Sequence, residues 1–151
     1  MAPTLSPPTP RRATRANLGF LLAKASQRWN ELLHERFVER GWSEVRPAYG
    51  SILLPLFEED ALRIGELASR AGLAKQTMTT MVRLLERDGL VSREPDPGDG
   101  RAARIRLTPK ARRFRSVAEE VLGELDDLVT LSLGDRRSKK LATDLEEVIA
   151  L

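Results

Sequence analysis

Cysteine is absent from the 151 residues, and histidine occurs once, at His34. Disulfides, thiolate nucleophiles, cysteine-based redox sensing and thiolate or multi-histidine metal sites are therefore excluded. No run of roughly 18 apolar residues occurs, and the first residues, MAPTLSPPTP, have no hydrophobic signal core. A soluble cytoplasmic protein without membrane association is the expectation. Also missing are a paired acid and base, a nucleophile constellation, a metal-binding cluster and a phosphate-binding glycine loop, so neither enzymatic activity nor a cofactor is expected. The glycines of PDPGDG do not open a helix after a strand, as a dinucleotide site requires.

What is present is charge, unevenly spread. The formal net charge is +3, but residues 61–115 carry 13 basic and 6 acidic side chains, whereas residues 116–151 carry 4 and 9. A local basic excess favours a polyanionic partner, and a solvated basic face accounts for it equally well. The length suits one domain able to bury its own core.

Periodicity gives the elements. Residues 1–13 are expected to form a disordered, proline-rich arm, with Arg11, Arg12 and Arg15 solvated or touching phosphate. From about Thr14 to Arg40, Leu18, Leu21, Leu22, Ala25, Trp29, Leu32, Leu33 and Phe37 recur every three or four residues, and Gly41 ends the helix. Such a helix reaches about 40 Å, more than a domain of this size needs, so part of its stripe is expected to pack on another subunit. Pro47 opens a second helix to about Glu59, kinked at Pro55, and Arg63–Ile64 allows a short edge strand.

The segment from Ile64 to Thr108 is the most informative. Leu67, Ala68 and Ala71 form the inner side of a short helix, Gly72 permits a left-handed turn, and Leu73 plugs the corner. A second helix, about Lys75 to Asp88, turns Met78, Met81, Val82 and Leu85 inward. Its outer side then presents Lys75, Gln76, Thr77, Thr79, Thr80 and Arg83. Glutamine bonds an adenine edge at two points, lysine and arginine bond guanine, and threonine reaches base or phosphate. An ordinary helical hairpin with a polar face would present the same residues.

Strands at Leu90–Glu94 and Ala103–Thr108 follow, with Ile105 and Leu107 inward and Arg104 and Arg106 on the other side. The connection PDPGDGR is rich in turn residues and long enough to protrude. Arg101 at its tip suits a narrow minor groove, with Asp99 orienting an arginine. This order of elements suggests a winged helix-turn-helix. Thr108-Pro109 caps a helix to about Leu131, and Asp135 caps a last helix burying Leu141, Leu145, Val148 and Ile149. The class is mainly α with a small β-wing, with long N- and C-terminal helices, residues 14–45 and 109–151, as a dimerisation region. Residues 47–108 form the DNA-binding lobe of a single domain, 14–151.

The segments LASRAGLAKQTMTTMVRLLERDGLV and DPGDGRAARIRLTPKAR resemble the MarR family of bacterial transcriptional regulators. Most specific is the match of Asp99, Arg101, Arg104, Leu107 and Thr108 to a D-x-R-x-x-R-x-x-L-T wing pattern. The resemblance implies an obligate homodimer on a pseudo-palindromic double-stranded operator, with half-sites about 34–36 Å apart. It implies the second helix of each motif in the major groove and the wing in the minor groove. In many relatives a small aromatic or phenolic effector weakens DNA binding, which makes Trp29, Phe37, Trp42, Arg46 and Tyr49 candidates for an effector pocket. Those aromatics serve equally as dimer core. Ala74 departs from the family's usual Ser or Thr, so the second helix lacks a cap worth about 1 kcal/mol. Tyr49 stands where similar sequences carry His, which argues against borrowing their ligands.

Two functions fit these expectations. One is a ligand-relieved repressor, or an activator, acting on an operator. The other is a regulatory protein-interaction partner that kept the dimer scaffold without operator binding.

Overall fold

The computed structural model describes residues 12–151, so most of the expected arm lies outside the described residues. Helix α1 runs over Leu18–Glu39, and a single 3-10 turn at Pro47–Tyr49 leads into α2, Gly50–Glu58. Strand β1 is Leu62–Arg63, α3 is Ile64–Ala71 and α4 is Lys75–Arg87. A hairpin of β2, Val91–Asp96, and β3, Asp99–Leu107, precedes α5, Pro109–Leu133, and α6, Asp135–Ile149. The fold is mainly helical with one small antiparallel sheet of order β1-β3-β2, a winged helix-turn-helix between long terminal helices.

The expected long stripe of α1 divides in two. Leu33 and Phe37 are buried, and the Phe37 ring meets Phe114 of α5 edge-on at 5.0 Å. Toward the N-terminus, Leu18, Phe20 and Leu21 remain exposed. Gly41, at φ 81, lets the Trp42 N–H return to the Phe37 carbonyl at 2.8 Å, which ends α1.

Between α3 and α4 the chain turns through Gly72 at φ 65. Leu73 does not plug that corner. Its side chain is 37% exposed, while its N–H closes α3 on the Ala68 carbonyl at 3.0 Å. Leu67 on α3 and Met78, Val82 and Leu85 on α4 are fully buried instead, together with Leu62, Leu90 and Ile105.

The edge strand falls one residue earlier than expected because Leu62 pairs with Ile105 and Arg63 with Arg104. The wing strands are longer than their hydrophobic pattern suggested. Pairing runs from Val91–Leu107 out to Asp96–Asp99, with an irregularity between Pro95 and Asp96. Only Pro97 and Gly98 connect them, so the wing is a paired ribbon and not a long loop.

Thr108 caps α5 as expected: its Oγ1 accepts the Ala111 N–H at 3.2 Å and donates to the Gly89 carbonyl at 2.6 Å. At α6 it is Gly134, at φ 83, that occupies the cap position, and Asp135 is already helical. Leu141, Leu145, Val148 and Ile149 are not buried within the chain. They form an exposed apolar side on a helix that has no buried residue.

Ala74 sits at the N-cap of α4 in extended geometry, φ −63 and ψ 144, with no side-chain acceptor for the first-turn N–H groups. Ala74→Ser should therefore stabilise the fold by about 1 kcal/mol, measured as a raised urea midpoint with an unchanged slope.

Candidate nucleic-acid interface

Helix α4 is amphipathic, and its apolar side sets what the other side presents. Because Met78, Val82 and Leu85 are inside, Lys75, Gln76, Thr77, Thr80 and Arg83 are exposed, and Thr79 is half-buried. The Thr79 and Thr80 hydroxyls donate back to the Lys75 and Gln76 carbonyls at 2.9 and 3.2 Å. Their protons are thereby occupied, and their methyl groups and acceptor lone pairs are what an approaching surface would meet.

The wing stands beside this helix. Lys75 and Arg101 share the lining of a cleft of about 680 Å³ with Arg63, Glu66 and Arg93, between α3, the start of α4 and the hairpin. Among the described residues no ion pair engages Lys75, Arg83 or Arg101, whereas Arg93 is held by Glu86 at 2.7 Å.

Asp99 and Asp96, two of the three wing carboxylates, divide their work differently from expectation. Asp99 Oδ1 accepts the backbone N–H of Arg101 at 3.0 Å, so it shapes the tip through the main chain and not through a guanidinium. The carboxylate that orients arginines is Asp96, which is buried. It accepts from Arg63 Nε at 2.5 Å and from the Gly98 N–H at 2.7 Å, and lies 3.5 Å from Arg104 Nε. The Arg63 bond, then the Gly98 N–H, hold its carboxyl down at a pKa of about 2. Arg104 thus shares that carboxylate at the base of the wing while its side chain stays 39% exposed, so it is held in place and still reachable.

Two further carboxylates brace the lobe. Asp60 accepts from the Leu107 N–H at 3.0 Å and from Arg112 at 2.9 Å, tying the sheet to α5. Burial pushes its pKa up, but those bonds outweigh it and leave it below the ordinary value. Asp88, at the end of α4, accepts from the Tyr49 hydroxyl at 2.5 Å and from Arg87 at 3.2 Å, and both lower its pKa. The Tyr49 phenol is raised, first by burial and then by Asp88.

Tyr49, one of the effector-pocket candidates, is buried in that bond. A separate cavity of about 280 Å³ opens between α1, α2 and α5, where Trp29, Phe37 and Arg46 are joined by Leu33, Phe57 and Phe114. Asn30, Ser51 and Arg46 provide its polar groups. Trp42 is not in its lining and packs on the Phe114 ring at 5.1 Å. Of the residues that sequence reasoning missed, Arg63 and Arg93 carry ordinary sequence context. Asp96 was hidden in an apparent turn.

The fold defines the class, a winged helix-turn-helix protein. A family model described as the MarR family matches residues 47–103. The transcriptional repressor YetL of Bacillus subtilis (strain 168) is 33% identical over 124 residues, 73% of this chain and 72% of that protein. The chain belongs to the MarR family, and its curated relatives are transcriptional regulators, not enzymes. The repressor CouR, solved bound to a 23-mer DNA duplex, is 25% identical at a TM-score of 0.75, covering 93% of this chain and 100% of that one. The PcaV regulator of Streptomyces coelicolor, solved with its natural ligand, shares the fold at 22% identity and a TM-score of 0.76, over 94% and 97% of the two chains. Two other curated regulators are longer, and the chain spans 45% and 66% of their lengths. Among the described residues no helix is long and apolar enough to cross a membrane.

A depressed carboxylate stabilises the fold above its unfolded pKa and ceases to do so as pH falls through its folded value. The contribution of Asp96 should therefore be complete above about pH 3.8 and disappear toward pH 2. Asp96→Asn should lower stability at neutral pH and flatten the acid limb of a stability–pH profile across that window, as recorded by urea titrations at each pH.

Proposed function

We propose that the protein is a dimeric, sequence-specific DNA-binding transcriptional regulator acting in the cytoplasm, a repressor relieved by a small-molecule effector. The observation that carries the reading is the unpaired charge of Lys75, Arg83 and Arg101 on the outer side of α4 and on the wing. Unpaired cations next to a shaped polar helix are what phosphate neutralisation and base reading require together.

Helix α4 enters the major groove, with Gln76 on a base edge, Lys75 and Arg83 on guanine or phosphate, and Thr77, Thr79 and Thr80 along the groove wall. Arg101 enters the adjacent minor groove, its backbone fixed by Asp99. The operator is pseudo-palindromic because the protein is a homodimer. Residues 14–45 and 109–151 form the dimer region. Support comes from the exposed Leu18 and Leu21 on α1, Leu131 on α5 and Leu145 and Ile149 on α6, which one chain leaves in water.

The effector is a small aromatic or phenolic molecule. The cavity beside Trp29, Phe37 and Phe114 supplies ring faces, and Arg46 at its side suits an anionic group on the ligand. Binding weakens operator affinity by favouring the lobe spacing that fits two successive major grooves less well, limited by the ligand's differential affinity for the two spacings.

On an operator recovered by selection from genomic fragments, Arg101→Ala should weaken binding to all sequences and lower the salt slope. Gln76→Ala should relax preference at one base pair per half-site, with a discrimination loss of about 1–3 kcal/mol. Fluorescence anisotropy on the operator and its single-base variants checks both. Unchanged affinity and unchanged discrimination in the two variants would contradict the docking.

A further inference from the structure

The ion cluster at the base of the wing holds one carboxylate between two arginines. Asp96 is buried, with its side chain 4% exposed, and it binds Arg63 through Nε. Arg104 lies on its other side. Asp99 and Glu66 add weaker negative fields at Arg63. Because Arg63 spends only Nε on Asp96, its two Nη groups remain, and its side chain is 45% exposed where it lines the cleft with Lys75 and Arg101.

That cleft has a geometric meaning if α4 occupies a major groove and the wing the neighbouring minor groove. Adjacent grooves are separated by one sugar–phosphate strand, so a strand of backbone must pass between helix and wing. Arg63 stands on β1 at that place, paired with Arg104 in register. The start of α3 borders the same cleft with no side-chain cap, and its first-turn field favours an anion there. Glu66 is the only acidic side chain in the lining, against four basic ones.

We propose that Arg63 is a phosphate-binding residue of this interface, seated on Asp96 so that its Nη groups meet the backbone strand lying between recognition helix and wing. The inference rests on the DNA-binding reading and adds to it a contact from the edge strand. Asp96 acts as a positioning residue: a guanidinium already fixed through Nε loses less freedom on binding than a free arginine would. The Arg63–Asp96 pair therefore belongs to the interface as well as to the fold.

Salt dependence separates a phosphate contact from a structural role, because each phosphate contact adds about 0.9 to the slope of log affinity against log salt. Anisotropy of the full chain on a fluorescent random-sequence duplex, titrated at several sodium chloride concentrations, reads that slope without knowledge of the operator. Arg63→Gln should lower the slope by about 0.9 for each bound chain, and Arg63→Lys should keep it near the wild-type value. Arg63→Gln takes the nearest cation from a buried carboxylate and leaves it only Arg104 and the Gly98 N–H, so the Arg63→Gln, Asp96→Asn double variant is measured too. It removes that charge and should show the same reduced slope with cooperative thermal melting. If the wild type binds and both glutamine variants keep its slope, Arg63 is structural only and the proposal is wrong. A wild type that fails to bind at low salt would contradict the DNA-binding reading itself, a separate outcome.

Discussion

The burial of one stripe on α4 is the constraint on which the rest of the molecule depends. Met78, Val82 and Leu85 are fully enclosed against α3 and the sheet, so the helix has no freedom to roll. Burying three such side chains is worth about 1.5–3 kcal/mol each, which far exceeds what the uncapped first turn loses. The outward residues need no contacts of their own to be held in place. That division lets the outer side be polar and available without cost to the core.

The wing is built on a different principle. Its ribbon has little apolar surface beyond Val91, Ile105 and Leu107, and its orientation depends on charge. Asp96 gathers Arg63 and Arg104 at its base, Glu94 takes Arg106 at 2.8 Å, and Asp60 ties the end of β3 to α5. Carboxylates inside a basic lobe look unfavourable to DNA binding when only charge is counted. Here they are spent on arginines at the base, and the tip cation Arg101 is left without an acidic partner among the described residues. Tyr49 and Asp88 add a third kind of joint, linking the segment beside the apolar cavity to the end of α4.

The helices were legible in the sequence because each has a wide apolar stripe at helical spacing, and the caps at Gly41, Gly72 and Thr108 are local chemistry. The outward residues of α4 followed directly from its inward ones. The wing strands were not legible to their ends, since SREPD and DGRAA have no alternation. Their pairing is decided by cross-strand hydrogen bonds that a hydrophobic pattern does not encode. For the same reason Asp96 passed as a turn residue, and its closeness to Arg63 and Arg104 was not legible. The Tyr49–Asp88 bond was not legible because the partners lie 39 residues apart, and nothing local announces it. Leu141 and Leu145 were expected inside on the strength of their spacing. Spacing identifies an apolar side but does not say whether the same chain or a second copy covers it.

The central claim is that two such lobes read one duplex, each with helix and wing in neighbouring grooves. Hydroxyl-radical footprinting of the selected operator tests it most directly. The account predicts two equivalent protected regions with centres about 10 base pairs apart, each extending over the backbone between a major and a minor groove. A single protected region, or protection confined to one groove, would contradict it.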